Sequence, residues 1–336
     1  MTAPDVDEFV RHRPMLFGLA YRLLGSAHDA DDILQEAYLR WAGADRAAVA
    51  QPRRYLTRVV GRLALDQLRA RRARRESYVG EWLPEPVGTD PSPFGAVDTS
   101  DLSIAVLHLM EQLTPPQRAV FVLRSAFDLP YDEIAAIVER TVEDCRQLYH
   151  RAERALRDGR VRFAPTPAEH RRLLADFVTA AREGDMTRLH GLLHADVVAW
   201  SDGGGRARAA LRPIRSAAKV ARFFAAIYSR PPALRAVSLE VNAAPAMLIG
   251  YSRTPHLLVL DVDDDAVRRI FLLANPDKLG AVPFHVLSPA TATGRPSDGP
   301  RRTAGCGRGT PAGRRPSPGA GGRLGPLARV PGRPHP

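Results

Sequence analysis

Leu113-Thr114-Pro115-Pro116-Gln117-Arg118 begins the stretch that decides the reading of this 336-residue chain. Thr114 is a good helix cap and proline suits a first helical position, which predicts a helix from there to about residue 126. Tyr131-Asp132-Glu133-Ile134-Ala135-Ala136-Ile137-Val138 follows as a short helix, and Glu139-Arg140 turns the chain. Thr141 caps the next helix, with Asp144 three residues on to form a capping box. That helix turns Val142, Cys145, Leu148, Tyr149, Ala152 and Leu156 inward and Arg146, Gln147, His150, Arg151 and Arg154 outward. Two helices, a tight turn and an Arg/Gln/His-bearing second helix describe a helix-turn-helix whose second helix can enter a major groove. Arginine and glutamine are shaped for paired hydrogen bonds to guanine and adenine edges. Cys145, on the inward face, reads as a small apolar residue.

The chain before this motif is also helical. Phe9, Leu16, Leu19, Ala20 and Leu23 fall at helical spacing, and Ala30, Ile33, Leu34, Ala37, Tyr38 and Trp41 form a clearer stripe. The second of these helices opposes Asp29, Asp31, Asp32 and Glu36 to a single Arg40, a solvated face or one that docks on a basic partner. A third helix opens at Pro52. Leu56, Val59, Val60 and Leu63 lie on one side of it, while Arg54, Arg58, Arg62, Arg69 and Arg72 lie within about 80° of one another on the other. Arginines on a rigid, packed element make a surface for phosphates. Residues 76–104 then carry Trp82-Leu83-Pro84-Glu85-Pro86, Pro91 and Pro93, the signature of an extended, solvent-exposed linker with one large aromatic. Helix resumes over 101–113.

Charge sharpens this division. The net charge is +11, from 48 basic and 37 acidic residues, yet residues 53–75 and residues 281–336 carry +8 each. The final segment has eleven Gly and eleven Pro with no apolar period, so disorder is expected for 281–336. Two cysteines exclude a disulfide framework or a four-cysteine zinc site. No run of eighteen apolar residues and no basic-then-apolar leader is present, which predicts a soluble, cytoplasmic protein without a membrane partner.

From residue 168 the pattern becomes mixed. Leu173, Leu174, Phe177, Val178 and Ala181 mark a helix, and a short helix at 185–193 precedes a strand at 197–201. Asp202-Gly203-Gly204-Gly205 makes a tight turn, and a helix at 215–229 leads to strands at 235–243, 246–252, 256–262 and 266–273. Helices followed by a meander of strands argue an α+β cone. Gly203–Gly205 lacks the strand-to-helix setting and Lys-Ser/Thr of a phosphate cradle, and Asp261–Asp265 lacks the twelve-residue calcium loop. Neither a cofactor nor a metal is expected.

Ala20-Tyr21-Arg22-Leu23-Leu24-Gly25 and Asp29-Ala30-Asp31-Asp32-Ile33-Leu34-Gln35-Glu36 resemble region two of bacterial extracytoplasmic-function (ECF) sigma factors. Leu113–Arg118, Tyr131–Ala135 and Cys145-Arg146-Gln147 resemble their region four. The order of the later elements resembles SnoaL-like, NTF2-like domains. Trp82–Pro86, Asp202-Gly203-Gly204-Gly205-Arg206 and Asn275-Pro276-Asp277-Lys278-Leu279 are similar to the sigma-factor group with such a domain fused at its C-terminus. Arg206 stands where that group usually has lysine, and Glu139-Arg140 replaces the usual glycine turn of region four.

The resemblance implies a division into region two (1–76), linker (77–104), region four (105–160), an NTF2-like domain (168–280) and the disordered tail. The fold class is thus two all-α sigma domains, a helical bundle and a helix-turn-helix, followed by an α+β cone. It implies that Asp31, Asp32, Gln35 and Glu36 dock on core RNA polymerase. Arg54, Arg58, Arg62, Asp66, Arg69 and Arg72 would open and read the minus-ten promoter element, and Arg146, Gln147, His150, Arg151 and Arg154 the minus-thirty-five element. Trp82, Pro84, Asp202, Gly203, Gly204, Gly205, Asn275, Pro276, Asp277, Lys278 and Leu279 would form a regulatory contact between linker and cone. The expected function is a sigma factor that directs core polymerase to promoters, regulated in cis and needing no separate anti-sigma factor. A stand-alone helix-turn-helix regulator with a ligand-sensing cone is the alternative. Catalysis by the cone, with Asp196, His194, Asp202 and Trp200 lining a pocket, is a third class that the fold alone does not support.

Overall fold

The computed structural model describes residues 4–75, 78–88, 93–94, 102–157, 165–229, 234–250, 255–263, 265–280 and 282. The segment 281–336, expected to be disordered, lies outside them except for Val282.

Three helices open the chain: α1 (Pro4–Leu24), α2 (Ala27–Ala42) and α3 (Pro52–Arg75). Gly25, at φ +65, turns the chain between the first two, and the Ser26 side chain accepts from Asp29 N at 3.2 Å to cap α2. The predicted stripe of α2 is buried at Ala30, Ile33, Leu34, Ala37 and Trp41, against Leu16, Leu19 and Leu23 of α1 and Leu56 and Val60 of α3. Asp29 is not on the exposed acidic face: its carboxylate is held by Arg71 of α3.

A short helix, α4 (Ile104–Met110), precedes α5 (Pro115–Ser125), α6 (Tyr131–Val138) and α7 (Val142–Arg157). Gln117 Oε1 accepts from Thr114 N at 2.9 Å, closing the start of α5, and Asp144 N donates to Thr141 Oγ1 at 3.1 Å at the start of α7. Between α6 and α7 the chain needs a left-handed residue. Glu139 takes it at φ 59, ψ 52, a conformation that costs a non-glycine residue roughly 1–2 kcal/mol.

The C-terminal half contains α8 (Pro167–Glu183), α9 (Met186–Leu192), β1 (Leu193–Asp202), β2 (Ile214–Arg215), α10 (Ala217–Tyr228), β3 (Arg235–Val241), β4 (Ala244–Gly250), β5 (His256–Asp263) and β6 (Ala266–Leu273). The six strands form one sheet in the order β2-β1-β6-β5-β4-β3. Only β1 and β6 pair in parallel; the remaining neighbours are antiparallel. Side chains alternate across the sheet. Met247, Ile249, Leu258, Leu260, Ile270 and Leu272 meet α8 and α10 through Phe177, Val178 and Phe224. Ala246, Leu248, Leu257, Val259, Phe271 and Leu273 face the other way. Burial of both faces explains why β5 reads Leu-Leu-Val-Leu rather than alternating.

What covers the second face is the linker. Leu83, Ile104 and Ala105 join that apolar cluster. Residues 81–87 are extended, as expected, but not solvent-exposed: Leu83, Pro84, Pro86 and Val87 are buried. Prolines keep a chain extended whether it lies in water or against a sheet, so composition cannot separate the two. Burying one leucine or isoleucine fully contributes roughly 1.5–3 kcal/mol, so this face is a substantial anchor.

Candidate nucleic-acid interface and interdomain clamp

Asp202, at the end of β1, is fully buried and both its carboxylate oxygens are engaged. Oδ1 accepts from Tyr78 Oη at 2.6 Å, and Oδ2 accepts from Leu83 N at 2.9 Å and Lys278 Nζ at 2.7 Å. Lys278 also donates to Leu83 O at 2.6 Å and sits 3.9 Å from the Trp82 ring centroid. Both backbone groups of Leu83 are therefore held by an ion pair of the cone. Burial, and the hydrogen bond to Asp202, raise the pKa of Tyr78 above the ordinary tyrosine value, which keeps it a donor.

The glycines allow this approach. A Cβ on Gly204, at φ +55, would lie 2.2 Å from Asn275 Nδ2, and one on Gly203 would lie 2.3 Å from Ala207 O. Asn275 Nδ2 donates to Tyr78 Oη at 3.0 Å and Asn275 N to Asp202 O at 2.9 Å. Pro276, Asp277 and Lys278 form a single 3-10 turn, started by Asn275 Oδ1 accepting from Asp277 N and ended by the buried Leu279. Arg206, at the position where that group usually has lysine, reaches Asp277 at 3.4 Å on the surface. All eleven residues expected at the linker–cone contact thus fall at or beside one cluster.

Two further residues extend the clamp to the front half. Glu85 receives Ser26 Oγ at 2.9 Å on one oxygen, and Ala27 N at 2.7 Å and His28 N at 3.1 Å on the other, so the linker caps α2. Asn242 Nδ2 donates to Tyr21 Oη at 2.7 Å and Leu102 O at 2.8 Å, while its Oδ1 accepts from Val87 N at 3.0 Å. Asn242 and Ala243 have φ 54 and 57, the two left-handed residues of a tight hairpin. The strand expected over 235–243 therefore stops at Val241, and the asparagine between two strands is the residue that signals the turn.

His108 of α4 sits 4.9 Å from Trp200 and 5.3 Å from Phe271, ring to ring, and burial pushes its pKa down to about 4. Trp200 therefore packs on α4, and Asp202 is paired with Lys278. Asp196 is exposed, and its backbone N donates locally to His194 Nδ1 at 3.1 Å. Of the four residues suggested for a catalytic pocket, Trp200 is thus taken up by packing on His108 and Asp202 by its ion pair.

On α2, Asp32, Gln35 and Glu36 are exposed, with Asp32 beside His28 at 3.2 Å and Glu36 beside Arg40 at 3.2 Å. Asp31 is half exposed and pairs with Arg13 at 2.7 Å. His28, Asp29 and Asp32 bring possible metal-ligating atoms within 4.8 Å of one another, each already engaged in an ion pair within the chain.

The α7 face is open: Arg146, Gln147, His150, Arg151 and Arg154 are all exposed. The α3 face is exposed as well, at Arg54, Arg58, Arg62, Asp66 and Arg69, but several of its members have partners within the chain. Asp66 and Arg69 pair at 3.2 Å. Arg54 meets Glu133 of α6, and Arg62 Nη2 donates to Ala136 O at 2.7 Å. The Arg72 side chain lies outside the described residues.

An acidic helix, an arginine-striped helix and a helix-turn-helix, strapped to an α+β domain, define a promoter-specificity subunit of RNA polymerase with a fused module. Residues 9–74 match Sigma-70 region 2, and residues 103–156 match Sigma-70, region 4. ECF RNA polymerase sigma factor SigJ of Mycobacterium tuberculosis is 37% identical over 298 residues, covering 83% of this chain and 95% of that protein. Probable ECF RNA polymerase sigma factor SigI of the same species is 30% identical over 274 residues, covering 80% and 92%. The crystal structure of SigJ superposes with a TM-score of 0.68 at 34% identity, over 83% of this chain and 99% of that one. The chain belongs to the ECF RNA polymerase sigma factors, with a C-terminal NTF2-like domain as in SigJ.

As a sigma factor it is a non-catalytic subunit that binds core RNA polymerase and promoter DNA. The stand-alone regulator is not favoured, because both sigma regions are present in order. No helix among the described residues is long and apolar enough to cross a membrane.

Proposed function

We propose that the cone regulates this sigma factor in cis, without a separate anti-sigma factor and without catalysis of its own. The observation that carries the reading is the Asp202–Lys278 pair closed on both backbone groups of Leu83. Through Glu85 the held linker caps α2, the helix whose Asp31, Asp32, Gln35 and Glu36 would dock on core polymerase. Through Arg71, stacked 5.9 Å from the Trp82 ring, it reaches α3. Linkage within one chain supplies the cone at high local concentration, so no encounter with a second protein is needed. A soluble protein working in the cytoplasm fits this role.

The exposed α7 face would read the minus-thirty-five element, and the α3 arginines would hold the phosphates around minus ten. Transcription with core polymerase on a pool of genomic fragments tests the whole reading. Discrete promoters are expected. Arg58→Ala should weaken all of them about equally, by about 1 kcal/mol, as a phosphate contact does. Asp202→Asn should change transcript yield while leaving the order of promoter preference intact. A folded Asp202→Asn protein with unchanged yield, despite altered Trp82 emission, overturns regulation by the cone.

A further inference from the structure

The α3–α6 contact is separate from the clamp and involves the helix that carries the phosphate-binding stripe. Glu133 on α6 is 3% exposed, and its carboxylate meets the Arg54 guanidinium. Two turns along α3, Arg62 donates to the Ala136 carbonyl of the same helix. Between them Gly61 lets α6 lie close: a Cβ there would be 3.2 Å from Ile137 Cγ2 and 3.8 Å from Leu123 Cδ2. A guanidinium binds carboxylate and phosphate through the same forked N–H donors. Two arginines of the stripe are therefore occupied by oxygens of region four.

We infer that α6 acts as an internal phosphate mimic, with Glu133 and Ala136 O filling at Arg54 and Arg62 the places that promoter phosphates take. This rests on the reading of α3 as the minus-ten surface. Its consequence is an order of events: the closed molecule presents α7 to an upstream element, and the downstream element is engaged only once α6 has left α3. The contact is built to separate. A cleft of about 500 Å³ opens beside it, lined by Glu8, His12, Arg53, Phe127 and Leu129. Separation returns Glu133 to water and so relieves its desolvation.

Binding of the free, full-length protein to a 30-base-pair duplex of random sequence reads the latch without polymerase. Glu133→Gln keeps the size of the side chain and removes its charge. It should tighten binding at least threefold and steepen the dependence of log K on log salt by about one to two, as Arg54 and Arg62 gain phosphates. Unchanged affinity and slope overturn the proposal. A second variant guards against an indirect effect: Gly61→Cys with Ile137→Cys, in a Cys306→Ser background. Diamide should crosslink it as the free protein and lower transcription at least tenfold, with recovery on reduction; failure to crosslink, or full transcription when crosslinked, overturns the latch. Tighter binding by Glu133→Gln together with no transcript from any variant would instead sink the sigma-factor mechanism and leave the latch standing.

Discussion

Asp202 and Glu133 are both carboxylates buried between elements distant in sequence, and they are satisfied very differently. Asp202 receives a phenol, a backbone amide and an ammonium at 2.6–2.9 Å, and its cationic partner is itself only 6% exposed. Glu133 has Arg54, whose side chain is 51% exposed and also donates to Gln51 Oε1 at 3.1 Å on the surface. A buried charge held by three donors holds one geometry, and removing a partner strands it; a carboxylate with one half-solvated partner is a contact that can be given up. The clamp between linker and cone is the rigid joint of this molecule, and the α3–α6 seam is the joint that can open.

Breaking the clamp should have the largest effect. Lys278→Ala leaves Asp202 without its counter-charge in a dry site, a defect that typically costs about 3–5 kcal/mol. Urea unfolding followed by tryptophan emission measures it, and a loss below about 1 kcal/mol would mean that the ion pair does not organise the joint.

Acid should act on the same joint more gently. Folding holds His108 neutral, with its pKa pushed down to about 4 by burial, against 6.5 in the unfolded chain. Between those values the unfolded state binds the proton and the folded state does not, so stability is full above pH 6.5 and falls as pH drops toward 4. At about 1.4 kcal/mol per unit the loss is on the order of 3 kcal/mol. Burial also lowers His256, to about 4, and His170, so His108→Leu should reduce the slope between pH 7 and 5 without abolishing it; an unaltered slope would remove His108 as a source.

The smallest effect belongs to the seam. Arg62→Ala deletes one exposed guanidinium–carbonyl bond and should cost less than about 1 kcal/mol of stability by the same urea measurement. A loss as large as that of Lys278→Ala would erase the distinction between the two joints.

Local chemistry was legible in the sequence. Pro52 and Pro115 start helices where the prolines placed them, the short helix expected at 131–138 is found there, and β6 spans the predicted 266–273. These features depend on neighbours within a few residues. The clamp was legible through resemblance alone, since Asp202 and Lys278 are 76 residues apart with no period relating them. Glu85 as a cap for α2, Asn242 as a pin on Tyr21 and Glu133 as the partner of Arg54 were not legible. Each joins side chains brought together by the packing of whole elements, over separations such as the 221 residues between Asn242 and Tyr21. The arginine stripe of α3 was found as a pattern, but a pattern could not show that two of its members already have a partner.

The composition of the clamp has a consequence for chemical labelling. The chain has only two lysines, Lys219 and Lys278. Lys219 is exposed on α10, whereas the Lys278 amine is enclosed by Trp82, Leu83 and Asp202. An amine-acylating reagent therefore meets a permanent reference and a guarded site in one molecule. The ratio of their modification rates reports how often the cone releases the linker, with protein concentration and reagent decay cancelling between the two sites.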